Sequence, residues 1–505
     1  MTTQRPVRLL PLLCLGFIAA CNNGPAAFDG PTGSSSIVSG DEHGVLYAVN
    51  EGVGTLSRVD LKSGDVQELE LGSIPFRVTR PDGDTVVVSL RGERSLVVLE
   101  ESGDGLTETR RIQVGAEPTA VVSNPSTGHV FVALATQNQV WELDEHFEHV
   151  DTFEVTGQPW FLSLHPDGKH LYAGSAYGGL ISHIRLSDGT VTQHELPAME
   201  GLGADHTVEA VTLTPRITGD LAVSPDGDTL AVPVHYLDNI TPTDPDGDDV
   251  SEPEGSYSAG AGSVGLTRMN PTVVTFDVGD GEVEGAGEVF LLAGRVSSSG
   301  RGNEVVRGYP SSVTWHPDGS FMWITFEGSN AVEALLPEAR VVMTEYVDGV
   351  GVGEMVSGDR AIFATDAGPR GVAFTQDGDA YVHNFLDRSV RVLGDESSAP
   401  VDGARLSERT LPAGVEEGRS LFYASTGGLM SADGAGVSCA TCHFNIRNDG
   451  LTWHLEDGLR QTPSLAGQVA HTGPFTWTLG VETVQDEAMH TSEVRMGGAG
   501  LTGAE

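Results

Sequence analysis

The chain has 505 residues, enough for two or three domains, and its 65 glycines and 26 prolines suit a turn-rich β protein better than a helical one. Twenty-eight Lys and Arg against 71 Asp and Glu give a net charge of −43, which argues against attraction to nucleic acid or to an anionic membrane surface. The same acidity reads as a solvated exterior, with a docking face for a basic electron-transfer partner as the alternative.

Residues 1–20 read as a targeting segment. Arg5 and Arg8 precede an apolar run, Leu9 to Ala19, that is too short for a permanent membrane helix. The run closes in Ile18-Ala19-Ala20-Cys21, which resembles the bacterial lipobox. The resemblance implies that Cys21 carries a lipid and begins the mature protein; a plain secretory signal is the alternative. Either way the protein is expected in the cell envelope, periplasmic or on the outer-membrane surface. Residues 21–36, ending in Gly30-Pro31-Thr32-Gly33-Ser34-Ser35-Ser36, are expected to be a flexible tether.

From residue 37 to 411 one phrase recurs: an apolar alternating run, a turn, then a second apolar run. The turns are Arg80-Pro81-Asp82-Gly83, Asn124-Pro125-Ser126-Thr127-Gly128, His165-Pro166-Asp167-Gly168, Ser224-Pro225-Asp226-Gly227, His316-Pro317-Asp318-Gly319 and Thr375-Gln376-Asp377-Gly378. Asp41-Glu42-His43-Gly44 is a degenerate first copy. Proline sets φ, Asp caps locally and Gly takes the left-handed position, so each phrase predicts a hairpin. Runs such as Val86-Val87-Val88-Ser89-Leu90 and Val130-Phe131-Val132-Ala133-Leu134 follow the turns. Repeats of about 40–50 residues with several strands each predict a β-propeller of about seven blades. The region resembles the YVTN-type family of bacterial surface propellers, without that literal tetrapeptide. The long interval between Pro225 and Pro317 leaves room for an eighth blade. His165 and His316 open equivalent turns, which marks them as parts of the repeat, not metal ligands.

Two insertions interrupt the repeat, at about 198–215 and 236–270. The second contains Thr243-Asp244-Pro245-Asp246-Gly247-Asp248-Asp249. The run reads as a solvated acidic loop. Calcium is the alternative, although the full calcium-loop pattern is missing. Residues 394–400 read as a turn or linker, residues 404–411 as the outer strand of the last blade, and residues 412–505 as a second domain.

That domain carries Cys439-Ala440-Thr441-Cys442-His443. Cys-x-x-Cys-His is the attachment signature of a c-type haem: two thiols form thioethers and the histidine binds iron. Cys14 falls in the signal and Cys21 takes the lipid, so no other cysteine competes, and zinc lacks a second ligand pair. Val415 to Tyr423 reads as a short helix. Asn448-Asp449-Gly450, Arg460-Gln461-Thr462-Pro463-Ser464-Leu465 and Gly473-Pro474-Phe475-Thr476-Trp477 follow in order. The helix resembles the opening of class I cytochrome c domains. The whole order resembles the first half of the di-haem cytochrome c peroxidase family, including its methylamine-utilisation-type members.

The resemblance implies a small α-helical cytochrome c domain holding one covalent haem c on Cys439, Cys442 and His443. The family uses two such motifs and this sequence has one, so a truncated or a single-haem version is expected. Met496 is the first candidate for the sixth iron ligand, with Met489, His490, His454, His471 and Met430 behind it. Arg460 is expected to pair with a haem propionate. Trp453 and Trp477 are expected to wall the pocket. The expected function is electron transfer with a redox partner protein or a small-molecule oxidant. The alternatives are a peroxidase-like haem oxidoreductase and a propeller binding module with a structural haem.

Overall fold

The structure, a computed structural model, describes residues 33–40, 43–103, 105–202, 210–240, 269–292, 295–297, 304–336, 341–347, 350–355, 361–393, 401–432, 435–455, 458–467, 469–475 and 479–501. Cys21, the acidic run 243–249, residues 394–400 and Trp477 lie outside these. Among the described residues, seven sheets of four or more strands follow one another along the chain, and within each the strands pair antiparallel. The first runs Ile37–Gly40, Val45–Asn50, Thr55–Asp60 and Val66–Glu70. The inner strands of the seven are Ile37–Gly40, Pro75–Thr79, Pro118–Ser123, Pro159–Leu164, Ala222–Val223, Pro310–Trp315 and Pro369–Phe374. They stand side by side around one axis, and the last packs against the first. The protein is a seven-bladed β-propeller.

Each of the seven sequence turns joins the first and second strands of a blade, so all lie on one face of the ring. Gly44, Gly128, Gly168, Gly227, Gly319 and Gly378 take φ between 64° and 89° there, a region closed to most side chains. The opening residues of these turns also join the blades. Asn124 Nδ2 donates to the Gly168 carbonyl at 3.1 Å, and His165 Nε2 sits 2.9 Å from the Gly227 carbonyl, each in the next blade. In the first turn, His43 Nε2 lies 3.1 Å from the Gly83 carbonyl.

A second repeat marks the opposite face. Ile74, Glu117, Gln158, Tyr309 and Gly368 precede the prolines that open five inner strands, and each is held at positive φ, between 55° and 72°. A residue with a side chain adopts that conformation at a cost of about 1–3 kcal/mol.

Blade five departs from the pattern. Its short inner strand is continued by Ala210–Ile217, which pairs with Thr229–Leu237, and Met199–Leu202 adds a further strand. The insertion at 198–215 is therefore partly strand. Between Pro225 and Pro317 the described residues form long strands of blade five, Met269–Asp277 and Glu284–Leu291, and a small hairpin of Arg295–Ser297 with Glu304–Val306. They form no eighth blade.

Residues 33–36, grouped with the tether in the sequence, run along the axis. Gly33 bridges Ser163, Ser35 bridges Val78, and Ser34 Oγ donates to Asp220 Oδ1 at 2.5 Å. Buried charges beside them are paired. Arg77 Nε meets Asp220 at 2.9 Å, and Arg370 reaches Glu327 at 2.8 Å and Glu51 at 2.6 Å.

The outer strand of blade seven is only Ala404–Arg405. The chain then crosses to blade one: Ser57 Oγ donates to the Leu406 carbonyl, Ser407 Oγ donates to Glu68 at 2.6 Å, and Arg409 pairs with Glu70 at 3.0 Å. Beyond it the described elements are few and small: α1 (Ala413–Tyr423), α2 (Cys439–Cys442), α3 (Val484–His490) and a hairpin of Thr452–Leu455 with Gly458–Gln461. Neither α1 nor α3 buries a residue fully. The apolar side chains of this segment instead share a cluster with Leu237 and Met269 of blade five. The segment is a cover laid on the propeller, where the sequence had suggested a self-contained helical domain.

Candidate functional site

The Cys-x-x-Cys-His turn is built on Ser438. Its N–H donates to Thr441 Oγ1 at 3.0 Å, and the Thr441 N–H donates back to the Ser438 carbonyl at 3.0 Å. This reciprocal cap forms the single turn of α2, which sets Cys439 and Cys442 one helical turn apart. Both thiols are free and half-buried. Burial pushes Cys439 up to about 11 and Cys442 well above the ordinary thiol value, so both are uncharged at neutral pH.

His443 closes the turn. Its Nδ1 lies 3.1 Å from the Arg447 carbonyl, which selects the tautomer with the proton on Nδ1 and the lone pair on Nε2. Burial lowers its pKa and outweighs the carbonyls of Arg447 and Pro463 and the carboxylate of Asp449, so the ring is neutral at pH 7. Asp449 is itself buried and accepts from Trp453 Nε1 at 2.8 Å.

Met430, Met496, Val437 and Trp453 form one apolar cluster, and both cysteines pack against it. The two methionines come together because Ser431 bridges Gly497 and the Ala432 N–H donates to the Met496 carbonyl at 2.8 Å. Arg460 is the direct cross-strand partner of Trp453, and its Nε is buried without a hydrogen-bond partner. The structure thus gathers Cys439, Cys442, Met430 and Met496, with His443 next in chain and Arg460 opposite Trp453. It does not gather His454, whose ring turns to the Ile240 carbonyl at 3.4 Å, or His471, which is exposed. Met489 and His490 are half-buried at the end of α3, outside this cluster. Two free thiols, a neutral imidazole with a fixed tautomer, and two buried thioether sulfurs are the donor types that a covalent haem takes, so the residues present fit that group.

Phe444 is the residue the sequence reading passed over. Its ring enters the mouth of the propeller axis, edge-on to Trp160 at 4.8 Å, with the Arg216 guanidinium 6.0 Å from its centre. Around it the cover is tied to every blade. Arg419 packs against Gly52, and Arg91 Nη1 donates to Asn445 at 2.9 Å. Arg447 pairs with Glu117 at 2.8 Å, and Tyr177 donates to the Asn448 carbonyl at 3.2 Å. Asn239 donates to the Thr452 carbonyl at 2.7 Å, the Ser425 N–H to the Gly328 carbonyl at 2.8 Å, and Arg388 pairs with Glu416 at 2.8 Å. Beneath the cover lies a cavity lined by Phe76, Arg77, Tyr309, Glu327, Arg370 and Phe444, among others. No motif in the sequence marks these contacts; the one hint is an aromatic residue directly after the histidine.

Neither a scan of protein-family models nor a search of curated proteins finds a match to this chain. Solved structures do resemble it. Hydrazine synthase of Kuenenia stuttgartiensis superposes with a TM-score of 0.51 at 19% identity, over 74% of this chain and 99% of that one. What the two share is the propeller fold. Virginiamycin B lyase of Staphylococcus aureus reaches 0.41 at 14% identity, over 70% of this chain and 92% of its own. The dihydro-heme d1 dehydrogenase NirN reaches 0.38 at 15%, over 72% of this chain and 63% of its own.

Proposed function

We propose that this protein is an exported, lipid-anchored c-type cytochrome whose residues 412–505 hold one covalent haem and pass single electrons. The observation that carries the reading is the donor set: two uncharged thiols on one helical turn, followed at once by a neutral imidazole and backed by buried methionine sulfur. Cys439 and Cys442 would hold the haem through thioether links to its vinyl groups, and His443 would offer Nε2 to the iron while the Arg447 carbonyl holds Nδ1. Met496, with Met430 in the same cluster, would offer a thioether sulfur to the iron, and Arg460 would offer a guanidinium to a propionate. A haem held this way supplies one-electron transfer. Trp453 and the surrounding apolar side chains keep water away, which tunes the potential. Arg5, Arg8, the apolar run to Ala19 and Cys21 support export and anchoring, and the charge of −43 supports a basic redox partner.

The deciding experiment is a pyridine haemochrome spectrum of the purified, denatured protein after acid–acetone extraction. The band is expected to stay with the polypeptide and to be lost in Cys439→Ala/Cys442→Ala. A wild-type protein that gives up all its haem to the solvent, or never held any, sinks the reading. Fatty-acid labelling that vanishes in Cys21→Ala tests the anchor.

A further inference from the structure

Arg216 lies in Ala210–Ile217 and His235 in Thr229–Leu237, and the two are direct cross-strand partners. Direct partners share a face of the sheet with Cβ atoms about 5 Å apart. Each residue is 1% exposed. Arg216 Nε, Nη1 and Nη2 all lack a hydrogen-bond partner, and so do both ring nitrogens of His235. Four other buried arginines of the propeller each face a carboxylate. Arg77 faces Asp220, Arg307 faces Glu333, Arg370 faces Glu327 and Arg388 faces Glu416. A guanidinium stays charged in a protein interior, and a buried charge with no counter-charge is strongly unfavourable. The Phe444 ring offers a cation–π contact but no acceptor, and Tyr309 sits edge-on to His235 at 5.5 Å.

We infer that Arg216 and His235 form a binding site for a small free oxyanion of the carboxylate or nitrate type, at the mouth of the propeller axis beneath Phe444. A planar anion with two oxygens matches the guanidinium fork, and His235 adds an N–H to it. Burial, and then the Arg216 charge, lower the His235 pKa to about 3, so the ring is neutral and keeps one donor. Arg216 is near enough to Cys442 for its charge to act on that thiol. The site stands on propeller residues and does not require the haem.

The test uses the full chain, with sodium formate and sodium nitrate as probes against chloride at matched ionic strength. The wild-type melting temperature is expected to rise with the logarithm of formate concentration, and calorimetry to read one site. Arg216→Gln is expected to weaken that binding at least about tenfold, the loss of a charge-assisted pair, and His235→Phe less. Arg216→Met is expected to ignore formate and, freed of the uncompensated charge, to melt no lower than wild type in chloride. If either variant folds poorly, Arg216→Lys keeps the charge without the fork and is expected to bind more weakly. No response of wild type to either anion, or an equal response in Arg216→Gln, overturns the proposal. The haem-free Cys439→Ala/Cys442→Ala variant identifies the source of the anion. Formate binding with and without haem supports a free anion; binding confined to the haem-free variant means a haem carboxylate fills the site and overturns the assignment. Covalent haem is read separately by its absorbance, so its absence leaves this result standing.

Discussion

At the scale of single residues, burial sorts the arginines by what faces them. Asp220 is 1% exposed, and it holds both Arg77 and the Ser34 hydroxyl. Removing it leaves a charge and a hydroxyl unpaired on the axis. Asp220→Ala is therefore expected to cost about 3–5 kcal/mol in urea unfolding. Arg216, which has no carboxylate to lose, is expected to show no such penalty when replaced by Met. That contrast separates burial of charge from its pairing. Glycine positions give a second residue-scale outcome. Gly450 has φ +74°, and a Cβ there would lie 2.6 Å from the Tyr177 ring. Gly450→Ala is expected to loosen the cover by about 1–3 kcal/mol while the blades stay folded. Faster hydrogen exchange in residues 435–455, with unchanged exchange in the inner strands, is the signature; equal loosening of both contradicts it.

At the scale of elements, what the chain shows on its face is what depends on neighbours in sequence. The turns repeat because a hairpin needs proline, aspartate and glycine in order, and all seven join first to second strands. The haem-type turn is local for the same reason: Cys439, Cys442, His443 and the cap on Thr441 span only a few residues. The second repeat, a positive-φ residue before a strand-opening proline, was present as Ile74-Pro75, Glu117-Pro118, Gln158-Pro159 and Tyr309-Pro310 but carries no compositional signal, since four different side chains fill the strained position. The docking of the cover was illegible because its contacts join residues far apart: Arg91 to Asn445, Glu117 to Arg447, Asn239 to Thr452. Pattern within a helix or strand cannot report a partner hundreds of residues away. Phe444 is the anchor of that docking, 4% exposed between Trp160 and Phe161. Phe444→Ala is expected to cost about 3–5 kcal/mol, as deletion of a buried aromatic does. Limited proteolysis is expected to cleave between 424 and 445 first. Cleavage that begins in the blades instead counts against the anchor role.

At the scale of the whole molecule, the buried histidines set how the protein responds to acid. Burial is the largest cause in each case: it lowers His183 to about 4 and His235 and His383 to about 3, and it also lowers His443. In the unfolded chain these rings take up protons near pH 6.5. The folded state refuses them until much lower pH, so between those values the unfolded state binds more protons. Stability contributed by the neutral rings is therefore fully present above about pH 6.5 and lost as pH falls. Each ring contributes a slope of roughly 1.4 kcal/mol per pH unit, so His183, His235 and His383 together give about 4. Glu51, held low by Arg370 and Arg91 against its own burial, adds loss of the same sign below the ordinary glutamate value. Asp220 runs the other way, because burial outweighs Arg77 and raises its pKa. Three histidines exceed one aspartate, and their window opens higher. Urea midpoints taken from pH 7.5 to 4.5 are expected to fall steadily below pH 6.5. His383 Nδ1 lies 2.9 Å from Ser36 Oγ on the axis, a contact that a Gln amide can replace, so His383→Gln is expected to keep the fold and remove about a third of the slope. A flat profile in wild type, or an unchanged slope in His383→Gln, shows that these rings do not stay neutral inside the propeller.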